Sequence, residues 1–253
     1  MCQGGLTINT SQQEEINKRK QEIREKIWRI LEERNIALFP RPVFGRIPNF
    51  IGSDIAAKKL SELSIFKKAN VIFANPDSPQ QHIRRIALEH DKVVIMATPR
   101  LRQGFLVLNP ANIPRKLLKF ASTIKGAFKL GRLTEDLSRY HIDLKIVGSV
   151  AVWNDGSRVG KGGGYSDIEF GILREFGWIS EDTPVVTTVH DVQFHNNIPM
   201  TQHDVPIDII VTPTKVLEVK RIYPKPKGIY WDEIPHEKIE QIPILKKMLR
   251  QKL

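Results

Sequence analysis

Residues Arg158 to Asp167 read Arg-Val-Gly-Lys-Gly-Gly-Gly-Tyr-Ser-Asp. Four glycines in five positions, Gly160 and Gly162 to Gly164, let a backbone turn sharply and aim several N–H groups at one point. Arg158 and Lys161 flank that point, and a helix is expected to start just after it, adding the positive end of its dipole. This is the composition of a phosphate cradle; a strand-to-helix turn without ligand is the alternative. It is not a Walker A loop, because the Lys-Ser/Thr ending is missing. It also comes too late in the chain to be the first βα turn of a dinucleotide fold.

A second chemistry-bearing stretch runs from Pro199 to Thr212, where His203-Asp204 precedes an apolar strand with Asp208 inside it. Asp204 at a strand edge could hold Mg²⁺, a hard cation that favours carboxylate, water and phosphate oxygen. A turn aspartate before a strand is the plainer reading, and Asp208 is expected to cap or pair locally. His190-Asp191, His195 and His203-Asp204 suggest a transition-metal hydrolase, yet their spacing fits no zinc template. No G-x-S-x-G elbow supplies a nucleophile, no aromatic pattern matches an RNA-recognition motif, and Cys2 sits at the terminus.

The elements that must position these groups follow an alternation. Ser11 and Glu14 form a capping-box pattern, and Ile16, Ile23, Ile27, Ile30 and Leu31 continue at helical spacing to about Arg34. Lys20 and Arg24, four apart, share one face of that helix. A Pro-rich loop at Phe39–Pro48 precedes a helix over Ser53–Leu63. Then come a strand over Asn70–Ala74, a helix over Ser78–His90, a strand over Lys92–Thr98 and a helix over Pro114–Ser122. A strand over Leu144–Val152 leads to the glycine turn and a helix from Tyr165 to Phe176. Pro184–Val189 and Ile207–Thr212 are further strands. Short apolar strands between helices predict an α/β fold: a Rossmann-like three-layer sandwich with a mainly parallel central sheet, an N-terminal helix arm and a C-terminal helical tail. Residues 1–222 are expected as one domain. Residues 223–253 are expected as a basic tail folding back through Ile242, Ile244, Leu245 and Leu249.

Composition narrows the class. Of 253 residues, 41% are hydrophobic and 26% charged, which excludes collagen-like and disordered chains. No apolar run is long enough to span a bilayer, Met1–Thr10 lacks the pattern of an export signal, and one cysteine forms no internal disulfide, so a cytoplasmic monomer with no membrane partner is expected. Thirty-nine Lys+Arg against 28 Asp+Glu give a net charge of +11. Between Lys92 and Thr134 there are nine basic residues and no acidic one. That favours an anionic partner: nucleotide, polyanionic substrate or RNA.

Three blocks in order, Lys20 with Arg24, Arg158–Asp167 and His203–Asp208, resemble the 5-formyltetrahydrofolate cyclo-ligase family. Phe39–Val43, Arg46–Phe50, Val147–Val152 and Pro184–Asp191 resemble most its methenyltetrahydrofolate synthase domain-containing branch. Animal members of that branch add an RNA-recognition domain, for which this chain is expected to have no room. The resemblance implies ATP- and Mg²⁺-dependent cyclisation of 5-formyltetrahydrofolate, or a related reduced pterin. ATP phosphorylates the formyl oxygen on N5, N10 attacks the activated carbon, and phosphate leaves. It implies that Lys20, Arg158 and Lys161 act catalytically, and that Lys20, Arg24, Arg158, Gly160, Lys161, Gly162, Gly163, Gly164 and Tyr165 bind ATP. Asp167 and Asp204 would hold Mg²⁺. Tyr165 would pack against the pterin or the nucleotide. Arg100 and Arg102, just past the Val93–Ala97 strand, are expected from their position rather than from the resemblance to contact the substrate's carboxylates. Three positions depart from the family pattern. Ser166 replaces a second Tyr, Gly148-Ser149 replaces Pro-Gly, and Asn75-Pro-Asp77-Ser-Pro lacks a clear counterpart of a folate-contacting Glu. A non-catalytic nucleotide-binding homologue that binds RNA is the competing reading.

Overall fold

The computed structural model describes residues 10–252; Cys2, and Met1–Asn9 of the stretch searched for an export signal, lie outside them. Helix α1 spans Thr10–Glu33, starting one residue before the expected cap at Ser11. Its buried stripe, Lys20, Ile23, Ile27, Trp28 and Leu31, steps by threes and fours, so one face of the helix lies against the protein. Lys20 continues the stripe beyond the apolar residues, where the helix passes from core to site.

Strands β1 (Ala37–Leu38) and β2 (Asn49–Phe50) pair across the Pro-rich loop, and α2 (Ser53–Glu62) and α3 (Ser64–Lys68) follow. Next come β3 (Val71–Ala74), α4 (Gln81–Glu89), β4 (Val93–Ala97), β5 (Phe105–Leu108), α5 (Leu118–Ala121), α6 (Ile124–Leu130), β6 (Arg132–Thr134) and β7 (Leu144–Val147). The chain continues through β8 (Ala151–Val152), β9 (Arg158–Val159), α7 (Tyr165–Glu175), β10 (Val185–Thr188), β11 (Ile209–Val211) and β12 (Val216–Glu218) to α8 (His236–Gln241) and α9 (Pro243–Lys252).

Eight strands form one sheet in the order β12-β11-β10-β7-β3-β4-β5-β6. The five central strands are parallel and the remaining three are antiparallel, so the expected mainly parallel α/β sheet is present. Neighbouring residues of the central strands face opposite cores. Ile72, Val94 and Ile146 pack with α2, α4 and α5, while Phe73, Ile95 and Val147 pack with α7 and the tail. Strands buried on both faces are therefore apolar at nearly every position. Ile239, Ile242, Ile244, Leu245 and Met248 of the C-terminal segment belong to this second core.

Three expectations need correction. Leu144–Val152 is not one strand. The chain leaves the sheet after Val147, and Ala151–Val152 pairs antiparallel with Arg158–Val159 in a hairpin outside it. Asn154-Asp155-Gly156 makes that turn, with Gly156 at φ +90, a conformation glycine adopts freely. The glycine loop thus follows a hairpin rather than a sheet strand. In addition, the acid-free segment folds into β5, α6 and β6 as well as the expected helix, which is only one turn of α-helix after a 3₁₀ turn at Arg115–Leu117.

Strand order also locates a site. From β3 the chain continues outward to β4 on one side, whereas β7, β10 and β11 are added on the other. The sheet therefore reverses direction between β3 and β7. A crevice opens beyond the carboxyl ends of strands at such a point.

Candidate active site

The crevice is a cavity of about 1380 Å³. Asn75–Asp77 beyond β3, Ala97–Leu101 beyond β4 and Gly148 beyond β7 line its base; α1, the glycine loop and the tail form its walls. Gly148 is required there, because a Cβ would lie 2.8 Å from Ile47 and 3.1 Å from the Asp77 carboxylate.

The glycine loop runs from β9 to α7. Gly162 and Gly164 hold φ of +97 and +68, and Gly164 starts α7 without a side-chain cap; the first-turn residues Tyr165, Ser166 and Asp167 line the cavity. Five cations surround this loop, and they divide by partner. Lys20 lies 2.5 Å from Asp204, Arg158 2.9 Å from Asp167 and Lys161 2.8 Å from Asp77. Arg24 instead donates to the Gly160 carbonyl at 2.7 Å and to Gln21. Lys238, from the tail, donates to the Gly163 carbonyl at 2.7 Å and lies 5.3 Å from the Tyr165 ring centre. Burial lowers the pKa of both, of Arg24 with Arg158 adding repulsion; nearby acids, Asp204 and Asp167 for Arg24 and Asp167 for Lys238, oppose this.

Arg158 is 4% exposed and spends its donors on protein: the carbonyls of Gly148 and Val205, and Asp167. It ties three chain segments together, so its role is to position them and to add positive potential. Asp204 is buried, which alone would raise its pKa. Lys20 and the Thr201 N–H outweigh burial and hold it below the ordinary carboxylate value. Asp167 and Asp204 are brought together by the bond from the Val205 N–H to Asp167. One oxygen of each carries the bonds named here, Oδ1 of Asp167 and Oδ2 of Asp204; the other accepts none among the described residues. No group of three or more His, Cys, Asp or Glu side chains among the described residues is arranged to hold a metal ion, so a transition-metal centre is not supported. Two carboxylates lining one cavity are a donor set that fits Mg²⁺, which is typically bound by one or two carboxylates with further oxygen ligands.

Beneath the loop the chemistry changes. Asn75 is 6% exposed, lines the cavity, and leaves Oδ1 without a hydrogen-bond partner among the described residues, while its amide nitrogen reaches Ser166 at 3.4 Å. Glu169, one helical turn after Ser166, lines the same cavity and forms a buried ion pair with Lys145 of β7. Burial raises the Glu169 pKa and lowers that of Lys145, each opposed by its partner. Fully buried Arg84 binds the carbonyls of Asn75, Asp77 and Ser122, fixing the base of the crevice; burial lowers its pKa to about 10.

Most residues read from the sequence converge here: Lys20, Arg24, Arg158, Gly160 to Gly164, Tyr165, Asp167 and Asp204 all line the cavity. Arg100 does too, whereas exposed Arg102 does not. Arg100 and Leu101 both take positive φ, +56 and +55, in the turn between the two arginines. Of the nine basic residues from Lys92 to Thr134, Lys92 is buried against backbone carbonyls and Arg115 pairs with Asp91. Asp208 binds the Val185 N–H, Arg221 and Lys225, as a locally paired residue. His190 caps a 3₁₀ turn, and His195 bonds its neighbour's carbonyl. The sequence reading missed Asp77, Lys145, Glu169 and Lys238. Asp77 puts a carboxylate in the stretch that lacked a counterpart for the family's Glu. A lysine inside an apolar strand, Leu144-Lys145-Ile146-Val147, was the visible signal for the buried pair.

Residues 16–213 match the 5-formyltetrahydrofolate cyclo-ligase family. The methenyltetrahydrofolate synthase domain-containing protein of Bos taurus is 41% identical over 237 residues, covering 92% of this chain and 62% of that protein. Its Homo sapiens counterpart is 40% identical over 234 residues, covering 90% and 61%. The chain spans about three fifths of the length of these curated relatives. The NMR structure of Aquifex aeolicus 5,10-methenyltetrahydrofolate synthetase aligns with a TM-score of 0.50 at 20% identity, over 79% of this chain and 93% of that one, a likeness of fold. No helix among the described residues is long and apolar enough to cross a membrane. The chain belongs to the 5-formyltetrahydrofolate cyclo-ligase family.

Proposed function

We propose that this member of the cyclo-ligase family couples ATP to the cyclisation of a formylated tetrahydropterin, 5-formyltetrahydrofolate or a close relative. The observation that carries the reading is the division of one cavity into two chemistries. Its wall offers backbone N–H groups and cations, which suit a triphosphate. Its base offers the unpartnered Asn75 oxygen and the Glu169 carboxylate. Acceptors of that kind suit the adjacent N–H donors on the edge of a pterin ring.

The formyl oxygen on N5 takes the γ-phosphoryl group and ADP is released; N10 attacks the activated carbon and gives up its proton, and loss of phosphate leaves the 5,10-methenyl bridge. Arg24, Lys161 and the loop amides would bind the phosphates. Lys20 would neutralise charge on the transferred group, released in part from Asp204. Arg158 would hold Asp167 in place, and Tyr165 would pack against a bound ring. Asp167 and Asp204 are the residues that would hold Mg²⁺, whose chemistry is to neutralise triphosphate charge during transfer. Such catalysis is positioning and electrostatics, so it needs no protein nucleophile. Arg100 is proposed for the substrate's carboxylate side, because it alone of the two expected arginines reaches the cavity.

The test is absorbance at the methenyl band with protein, Mg²⁺-ATP and 5-formyltetrahydrofolate. A rise that requires both ATP and protein is expected. A flat trace with intact ATP binding would remove folate as the substrate.

A further inference from the structure

The five cations around the glycine loop are not equivalent. Lys20, Arg158 and Lys161 each face a carboxylate within hydrogen-bond distance. Among the described residues, Arg24 and Lys238 have hydrogen bonds only to neutral oxygens. Both are about half buried, so neither charge is fully balanced by water or by a direct ion pair. A partly buried cation without a direct ion pair, with carboxylates only at longer range, has most to gain from an incoming anion. The two also bracket the loop. The Arg24 guanidinium carbon lies 3.3 Å from where a Cβ on Gly162 would stand, and the Lys238 Nζ lies 2.9 Å from where one on Gly164 would stand.

Arg24 is part of the family's matched span, but that span ends at residue 213. Lys238 comes from beyond it, on α8. Burial of Ile239 and Ile242 in the main core fixes α8 in place. Tyr230, Glu233 and Pro235 of the same segment also line the cavity, and Glu233 accepts hydrogen bonds from Gln202 and His203 next to Asp204.

We propose that the C-terminal segment completes the nucleotide site, with Lys238 as a phosphate-binding residue that exchanges the Gly163 carbonyl for a phosphate oxygen when nucleotide enters. This rests on the ATP reading above and adds to it a ligand from outside the family's common span. It also means that the segment from Tyr230 to Lys238 is a wall of the site.

The test compares ATP and adenosine binding by calorimetry for the wild type, Lys238→Met and Lys238→Gln. Glutamine keeps a donor for the Gly163 carbonyl but has no charge. Both variants are expected to keep adenosine affinity and to lose roughly ten- to hundredfold in ATP affinity, the size of a lost charge-assisted hydrogen bond. Lys238→Gln with wild-type ATP affinity overturns the proposal, since Lys238 would then only hold the loop. Equal loss of adenosine and ATP overturns it as well. A wild type that binds adenosine but gains nothing from the triphosphate overturns the nucleotide reading and this inference together.

Discussion

The wall and the base of the cavity hold charge in opposite ways. On the wall, Lys161 reaches down to Asp77 at the edge of solvent, and the glycine loop starts α7 without a capping side chain. At the base, Lys145 and Glu169 meet with 0% and 3% of their side chains exposed. The wall is built from a loop, one helix face and the tail, so its charges can be exchanged for those of a ligand. The base is built from the sheet and α7, where a charge without its partner has no water to turn to. The same kinds of group can therefore trade partners with a ligand in one place and hold an acceptor rigidly in the other.

The sharpest way to break this contrast is to remove one half of each pair. Lys145→Met leaves Glu169 uncompensated and is expected to cost about 3–5 kcal/mol. Urea denaturation measures it, and replacing Glu169 as well by Met should recover most of the loss. Gly164→Ala comes next. Its φ of +68 is expected to cost about 1–2 kcal/mol, and its Cβ would stand at the Lys238 amine, so ATP affinity should fall more than stability does. Lys161→Ala is expected to change stability by less than about 1 kcal/mol, since the pair is nearly half exposed on the lysine side and screened. Its ATP affinity should still drop severalfold. A stability loss as large as that of Lys145→Met would erase the distinction between wall and base.

The smallest effect is set by pH. Asp204 has its folded pKa held below the ordinary value of 3.8, so its contribution to stability is present above that value and lost as the pH falls through the folded pKa. Denaturation of the wild type and Asp204→Asn should therefore differ at neutral pH and converge in acid. A difference that persists in acid would assign the effect to something other than the Lys20–Asp204 pair.

Much of the wall could be read in the sequence, because its signals are local. Glycine spacing, flanking cations and the Lys20/Arg24 repeat each lie within a few residues. The alternation of apolar strands and helices showed the fold class for the same reason. The base depends on contacts across long stretches of chain. Asn75, just past β3, meets Ser166 only because α7 packs on the sheet in one core with β3, and that placement is not written in either segment. The turn at Asn154-Asp155-Gly156 was a local signal passed over: the apolar run Ile146–Val152 looked continuous, which hid the exit from the sheet at Gly148. Lys238 was invisible for a further reason. A lysine in a basic tail resembles any solvated lysine until the packing of Ile239 and Ile242 fixes where it points.

Lys20 and Asp204 are 184 residues apart, and Gly163 waits for a lysine 75 residues later. During synthesis, then, no partial chain owns a usable pocket: the first contributor leaves the ribosome long before the last. The two central strands β3 and β7 must also find each other across the whole of β4, β5 and β6, a pairing of high contact order that slows folding. A nucleotide that binds only the finished crevice would act late, as a latch on the completed fold, and would stabilise it in proportion to the logarithm of its concentration.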